Sequence, residues 1–142
     1  MDLGCHMINL LRWYFGEVSD VKCYMGRMFN LEFEDHATCI LKFQSGQTAI
    51  LNAGWFSQQA QIKVEILGTV AHATTSYTQP SKIRTAIKLM TRTPDVNNPF
   101  FRELSYFIKC ITQDLSPSPS GEDAIKDLEA ISLAYKNQIF LE

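Results

Sequence analysis

The sequence predicts an α+β fold, in which an open and mostly antiparallel sheet carries helices on one face. Apolar residues recur at helical spacing near both ends of the chain. Between these ends, apolar and polar residues alternate as they do in strands, and the joining turns are too short for the crossovers of a parallel sheet. The chain has 142 residues, which is enough for one such domain and too few for two.

The first predicted helix covers residues 2–15 and ends at Gly16, a residue that readily forms a left-handed helix cap. Within it, Asp2 and His6 are four positions apart, so they lie on one helix face, one turn from each other. The apolar spacing predicts that the helix packs through a face made of Leu3, His6, Met7, Leu10, Leu11 and Tyr14.

The middle of the chain predicts one antiparallel meander of five strands, at residues 18–29, 36–43, 48–56, 61–67 and 70–77. Residues 78–98 are predicted to be irregular, and helices are predicted at 99–113 and 121–137. The last helix follows Ser120, which forms an acidic capping box with Asp123. The outer sheet face is too apolar to face water, so it is predicted to bind a partner through Thr38, Ile40, Thr48, Ile50 and Asn52.

Charge and cysteine usage exclude several classes of protein. The net charge of −2, with no stripe of Lys and Arg, argues against a nucleic-acid surface and against attraction to anionic membranes. No apolar run approaches the length of a membrane span. The cysteines form no CxxC motif and lie in apolar stretches, which predicts buried reduced thiols and a cytoplasmic protein; they are Cys5, Cys23, Cys39 and Cys110.

The residues alone leave the role of Asp2 and His6 open. An imidazole exchanges a proton near neutral pH, which suits acid–base catalysis. The same pair also fits an ordinary helix start, in which Asp2 is an N-terminal cap or a negative charge in the first turn and His6 is partly buried. For Asp35 and His36 we favour turn formation over a second acid–base site.

Several stretches of the chain together carry a resemblance to a known family. They are DLGCH at residues 2–6, LLRWYFG at 10–16, EDHA at 34–37, LKFQSG at 41–46, ILGT at 66–69, and parts of the last two helices at 101–108 and 120–124. In this order they resemble the C-terminal domain of the glucose-fructose oxidoreductase, inositol dehydrogenase and rhizopine catabolism (Gfo/Idh/MocA) oxidoreductases, whose D-x-G-x-H signature is similar to residues 2–6.

The resemblance implies one half of a two-domain enzyme. In that family a Rossmann domain binds NAD or NADP, and the second domain contacts a sugar, cyclitol or related alcohol and forms oligomers through its sheet. His6 would be the acid–base for the substrate hydroxyl, with Asp2 orienting it or binding substrate.

The chain also departs from the family. It has no G-x-G-x-x-G, no Glu-Lys-Pro lysine and no strand before the signature, and Asn9 stands where the family often has Asp. We therefore expect a fragment, a truncated reading frame or one piece of a split protein, which binds no dinucleotide and is inactive alone.

The predicted function is the substrate-binding and oligomerisation domain of an NAD(P)-dependent oxidoreductase, assembled as a homodimer through the open sheet face. The alternative is a stand-alone ligand-binding or protein-interaction module without catalysis. A third hypothesis is a small metal- or acid–base-dependent enzyme that uses Asp2, His6 and a residue of another subunit.

Overall fold

The computed structural model describes residues 2–55, 61–78 and 98–140. Most of the segment predicted to be irregular lies outside these residues, as does Phe56. The described elements are α1 (Asp2–Phe15), β1 (Val18–Gly26), β2 (His36–Phe43), β3 (Thr48–Gly54), β4 (Gln61–Leu67), β5 (His72–Thr78), α2 (Pro99–Thr112), α3 (Gly121–Lys136) and β6 (Gln138–Phe140).

The strands form two sheets, so the prediction of one meander is wrong. One sheet has the order β3-β2-β1-β6, with β6 parallel to β1 and the other neighbours antiparallel. β4 and β5 pair antiparallel in a separate hairpin. Alternation of apolar residues identifies a strand but not the sheet it joins. β6 has only three residues, too few to show any alternation.

The chain divides into two compact units. The first consists of Met1–Trp55 and Pro117–Glu142, and holds α1, the four-stranded sheet and α3. The second consists of Phe56–Ser116, and holds the β4–β5 hairpin and α2. That the whole chain is a single domain stays a prediction.

The core of the first unit lies on one face of the four-stranded sheet, where α1 and α3 pack. Its buried residues are Ile8 of α1, Val21, Cys23 and Met25 of β1, Cys39, Leu41 and Phe43 of β2, Leu51 of β3, and Ala130, Ile131 and Ala134 of α3. On the opposite face, Tyr24, Ile40 and Ile50 are exposed. The predicted α+β class, with helices on one sheet face, is confirmed.

α1 packs through a face that overlaps the predicted one only in part. Met7 and Leu11 of the predicted face pack against the core, as do Cys5 and Phe15, and Ile8 and Arg12 are buried. His6, Leu3 and Tyr14, which were also predicted to pack, are exposed. The apolar pattern did not predict this face because the face includes Arg12, a charged residue. Arg12 is buried because it forms ion pairs with Glu17 and Asp127.

Both predicted helix caps are confirmed. Gly16 has a φ of 81° and its N–H donates to the Arg12 carbonyl at 2.8 Å, which ends α1. At the start of α3, the Ser120 N–H donates to the Asp123 carboxylate at 2.8 Å and the Asp123 N–H donates to the Ser120 hydroxyl.

The prediction of four reduced cysteines is wrong, because Cys23 and Cys39 form a disulfide. The two residues face each other across β1 and β2, with Cα atoms 4.0 Å apart and both side chains buried. Sequence spacing did not reveal this pairing, since only strand register makes the two residues neighbours. Cys5 and Cys110 remain thiols.

Candidate functional site

Asp2 and His6 lie in the first two turns of α1, so the helical spacing predicted for the pair is confirmed. His6 is exposed, which contradicts the interpretation of His6 as a partly buried helix residue. The side chain of Asp2 lies outside the described part of the chain. The acid–base roles of both residues stay a prediction.

Arg12 fixes α1 to α3. Its Nη1 donates to Asp127 Oδ1 at 2.5 Å and to the Asp123 carbonyl oxygen at 2.9 Å. Its Nε and Nη2 donate to the Glu17 carboxylate at 3.0–3.2 Å. The residue is only 8% exposed. A buried guanidinium is tolerated because its N–H groups are paired with carboxylates and a carbonyl.

Asn9 completes this cluster from the same helix. Its Nδ2 donates to Asp127 Oδ2 at 2.8 Å, so the two oxygens of Asp127 are held by Arg12 and Asn9. An aspartate at position 9 would instead face the Asp127 carboxylate with no N–H to donate. Asn9 therefore supplies an N–H donor that an aspartate at this position would lack.

The charges of this cluster support one another. Hydrogen bonds from Arg12 and Lys126 hold the pKa of Glu17 below its ordinary value, against the opposing effect of burial. Burial alone would lower the pKa of Arg12, but its hydrogen bonds to Glu17 and Asp127 raise it. Arg12 and Glu17 therefore stabilise each other in their charged forms.

A second cluster centres on Asp35, whose side chain has no exposed surface. Its Oδ2 accepts from the Phe29 N–H at 2.7 Å, and its Oδ1 lies 2.7 Å from His36 Nδ1. Burial would raise the pKa of Asp35, but the Phe29 N–H and His36 lower it. The carboxylate thus organises the loop from β1 to β2, in agreement with the turn role favoured from the sequence.

His36 lies against the backbone of Gly26, its register partner on β1. A Cβ atom at position 26 would lie 2.1 Å from Cε1 and 2.3 Å from Nε2 of the imidazole. Only glycine leaves room for the ring here. Gly26 and Asp35 together fix the orientation of His36.

The Asp35–His36 pair borders a cavity of about 320 Å³ inside the first unit. The Tyr135 hydroxyl donates to Glu34 Oε1 on the same wall, and burial and this hydrogen bond raise the pKa of Tyr135 to about 12. Phe33 and Trp55, also in the wall, pack edge-to-face with ring centroids 6.0 Å apart. We missed this cluster from the sequence because Tyr135 is 101 positions from Glu34 and nothing local joins them.

Residues 2–55, 61–78 and 98–140 contain neither a metal cluster nor a membrane-spanning helix. No group of three His, Cys, Asp or Glu side chains there could hold a metal ion. None of the helices described in these ranges is long and apolar enough to cross a membrane.

The glycine-rich cradle that binds dinucleotides in Rossmann folds has no counterpart in this sequence. Such a cradle needs glycines two and three positions apart between a strand and a helix, so that the backbone can approach the pyrophosphate. The two closest glycines here, Gly46 and Gly54, are eight positions apart along the sequence.

Residues 1–74 match the GFO/IDH/MocA C-terminal domain model, and the chain belongs to this family. D-apiose dehydrogenase of Paraburkholderia graminis is 26% identical over 155 residues, which cover 94% of this chain and 41% of that protein. The chain therefore spans about two fifths of this relative.

Solved structures have the same fold. WlbA dehydrogenase of Bordetella pertussis, in complex with NADH and UDP-GlcNAcA, aligns with a TM-score of 0.71 at 19% identity over 95% of this chain and 40% of that chain. A myo-inositol dehydrogenase of Corynebacterium glutamicum aligns with a TM-score of 0.69 at 16% identity over 96% of this chain and 47% of that one.

We predict that Arg12→Met lowers the free energy of unfolding by about 3–5 kcal/mol, because it leaves Asp127 and Glu17 without their guanidinium. Urea denaturation measures the change. Arg102→Met is the matched control, since Arg102 is exposed on α2 and its loss should cost less than about 0.5 kcal/mol. An equal effect of the two substitutions would show that the Arg12 cluster does not hold the fold.

We predict that ionisation of Tyr135 lowers the free energy of unfolding at alkaline pH. Its raised pKa favours the neutral phenol in the folded state, so this contribution is complete below the ordinary pKa of 10.0 and falls as pH rises towards about 12. Urea denaturation across this range should show a decline that is smaller in Tyr135→Phe. Tyr77→Phe, at an exposed position of β5, should keep the full decline. A decline that is the same in all three proteins contradicts the prediction.

Proposed function

We propose that this chain is the substrate-binding and oligomerisation domain of an NAD(P)-dependent oxidoreductase that acts on a sugar or related alcohol. The observation that carries the proposal is family membership together with the start of α1, where the two signature positions Asp2 and His6 share one helix face. The relatives named above include a D-apiose dehydrogenase and a myo-inositol dehydrogenase, which agree with a polyhydroxylated substrate.

The proposed role of His6 is proton transfer at a substrate hydroxyl. Oxidation of an alcohol carbon requires removal of the hydroxyl proton, and an exposed imidazole can accept it near neutral pH. The Arg12 cluster supports this role, since it fixes α1 on α3 and so fixes where His6 lies.

The proposed homodimer uses the sheet face opposite the helices. Ile40 and Ile50 are register partners on β2 and β3, and they are 49% and 71% exposed. Tyr24, 43% exposed on β1, extends this apolar surface. Exposed apolar side chains that adjoin on a sheet are typical of surfaces that bind another protein.

The site is tested by titrating the chain with D-apiose and myo-inositol while backbone amide resonances are recorded by NMR. We expect saturable shifts in the first two turns of α1 and binding about 2- to 10-fold weaker in His6→Gln, the loss of one hydrogen bond. His72→Gln changes an exposed histidine of β5 and should bind normally. If His6→Gln binds with unchanged affinity and the shifted resonances lie outside α1, the result would favour a ligand-binding module without catalysis.

The dimer is tested by sedimentation of the chain over a range of concentrations. Ile50→Lys places a charge within the proposed interface, and we expect its dimer to dissociate about tenfold more readily or not to form. Val70→Lys is the control, since Val70 is 97% exposed between β4 and β5. A monomeric parent chain, or a dimer that Ile50→Lys leaves unchanged, would contradict the proposal.

A further inference from the structure

The cavity on the helix-covered side of the four-stranded sheet is separate from the His6 surface. The lining residues that the structure describes all belong to the first compact unit, and among them α1 contributes Leu3, Gly4 and Ile8 but not His6. Binding of a ligand in this cavity does not require the proton transfer proposed at His6.

Small residues keep this cavity open. Gly54 and three alanines, Ala37, Ala53 and Ala134, line it where larger apolar side chains would fill a core. Protein interiors are normally close-packed, and unfilled space costs stability. Its volume of about 320 Å³ is roughly twice that of an engineered cavity of ~150 Å³ that binds benzene. The space fits a molecule with one ring and a short chain.

The polar groups of the wall restrict the chemistry of that molecule. Glu34 and Asp35 carry carboxylates, and an ionised carboxylate accepts as many as about four hydrogen bonds. Tyr135 is one of the groups that already hydrogen-bond to Glu34, and the remaining acceptor sites of the carboxylate can take a hydrogen bond from a ligand. A ligand that donates a hydrogen bond suits this wall, whereas a carboxylate ligand has no hydrogen to donate to Glu34.

We propose that the cavity bordered by Glu34, His36, Trp55 and Ala134 binds a small, mostly apolar alcohol. Its ring occupies the apolar interior, and its hydroxyl donates to the Glu34 carboxylate. Gly26 and Asp35 hold the His36 ring in place as a fixed part of the wall. Preorganised walls with a few polar groups among apolar ones are typical of small-molecule sites.

The test uses three probes with one carbon skeleton: 2-cyclohexylethanol, ethylcyclohexane and cyclohexylacetate. None of them absorbs or emits in the tryptophan range, so Trp55 in the cavity wall reports binding by its fluorescence. The chain has two tryptophans, and Trp13→Phe removes the one that is 78% exposed on α1. In this background we expect saturable binding of the alcohol and at least about tenfold weaker binding of the carboxylate.

Two variants and a control separate the site from non-specific partitioning. Glu34→Gln keeps the shape of the wall and removes one charge, so the preference for alcohol over carboxylate should shrink several-fold. Glu32→Gln changes an exposed carboxylate of the same loop and should keep the preference. Ala134→Phe fills the space and should abolish binding.

A second measurement covers the case in which Ala134→Phe does not fold. With ¹³C-methyl methionine, the Met25 methyl in the cavity wall should shift on addition of the alcohol, whereas the exposed Met28 should not. The proposal is overturned if no probe gives a saturable response, if the three probes bind equally, or if Glu34→Gln and Glu32→Gln behave alike.

Discussion

The guanidinium of Arg12 joins parts of the chain that lie far apart in sequence. Its partners are Glu17, just beyond the end of α1, and Asp123 and Asp127 on α3, the last of them 115 positions away. A buried charge must keep all of these partners or the fold loses several kcal/mol. α1 can therefore neither rotate nor slide on α3, and this decides that Ile8 enters the core while His6 remains exposed.

Asp35 has a comparable role at the opposite end of β2. Its carboxylate accepts a hydrogen bond from the Phe29 N–H and contacts the His36 ring. Its backbone N–H donates to the Gly26 carbonyl, and its carbonyl accepts from the Trp55 N–H. Carboxylates thus organise both ends of the first unit, and protein N–H groups hydrogen-bond to them. Such satisfied polar groups fix one arrangement, because any alternative leaves a buried charge unpaired.

These two clusters give α1 two different surfaces. The surface with His6 is exposed, and in our proposal it serves proton transfer at a substrate hydroxyl. The side with Gly4 and Ile8 closes a cavity against the sheet and α3. The sheet is divided in the same way, since Leu41 is buried under the helices while the adjacent Ile40 faces outward. This division follows because successive side chains of a strand point to opposite faces of the sheet.

The sequence by itself determined the α+β class, the caps at Gly16 and Ser120, and the spacing of Asp2 and His6, because these depend on residues within a few positions of each other. It also led to the family through short stretches in order. Only the tertiary structure decided which face of α1 is buried, the Cys23–Cys39 disulfide, the division into two sheets, and the cavity beside His36. Each of these depends on strand register or on ion pairs between distant residues, which local patterns do not contain.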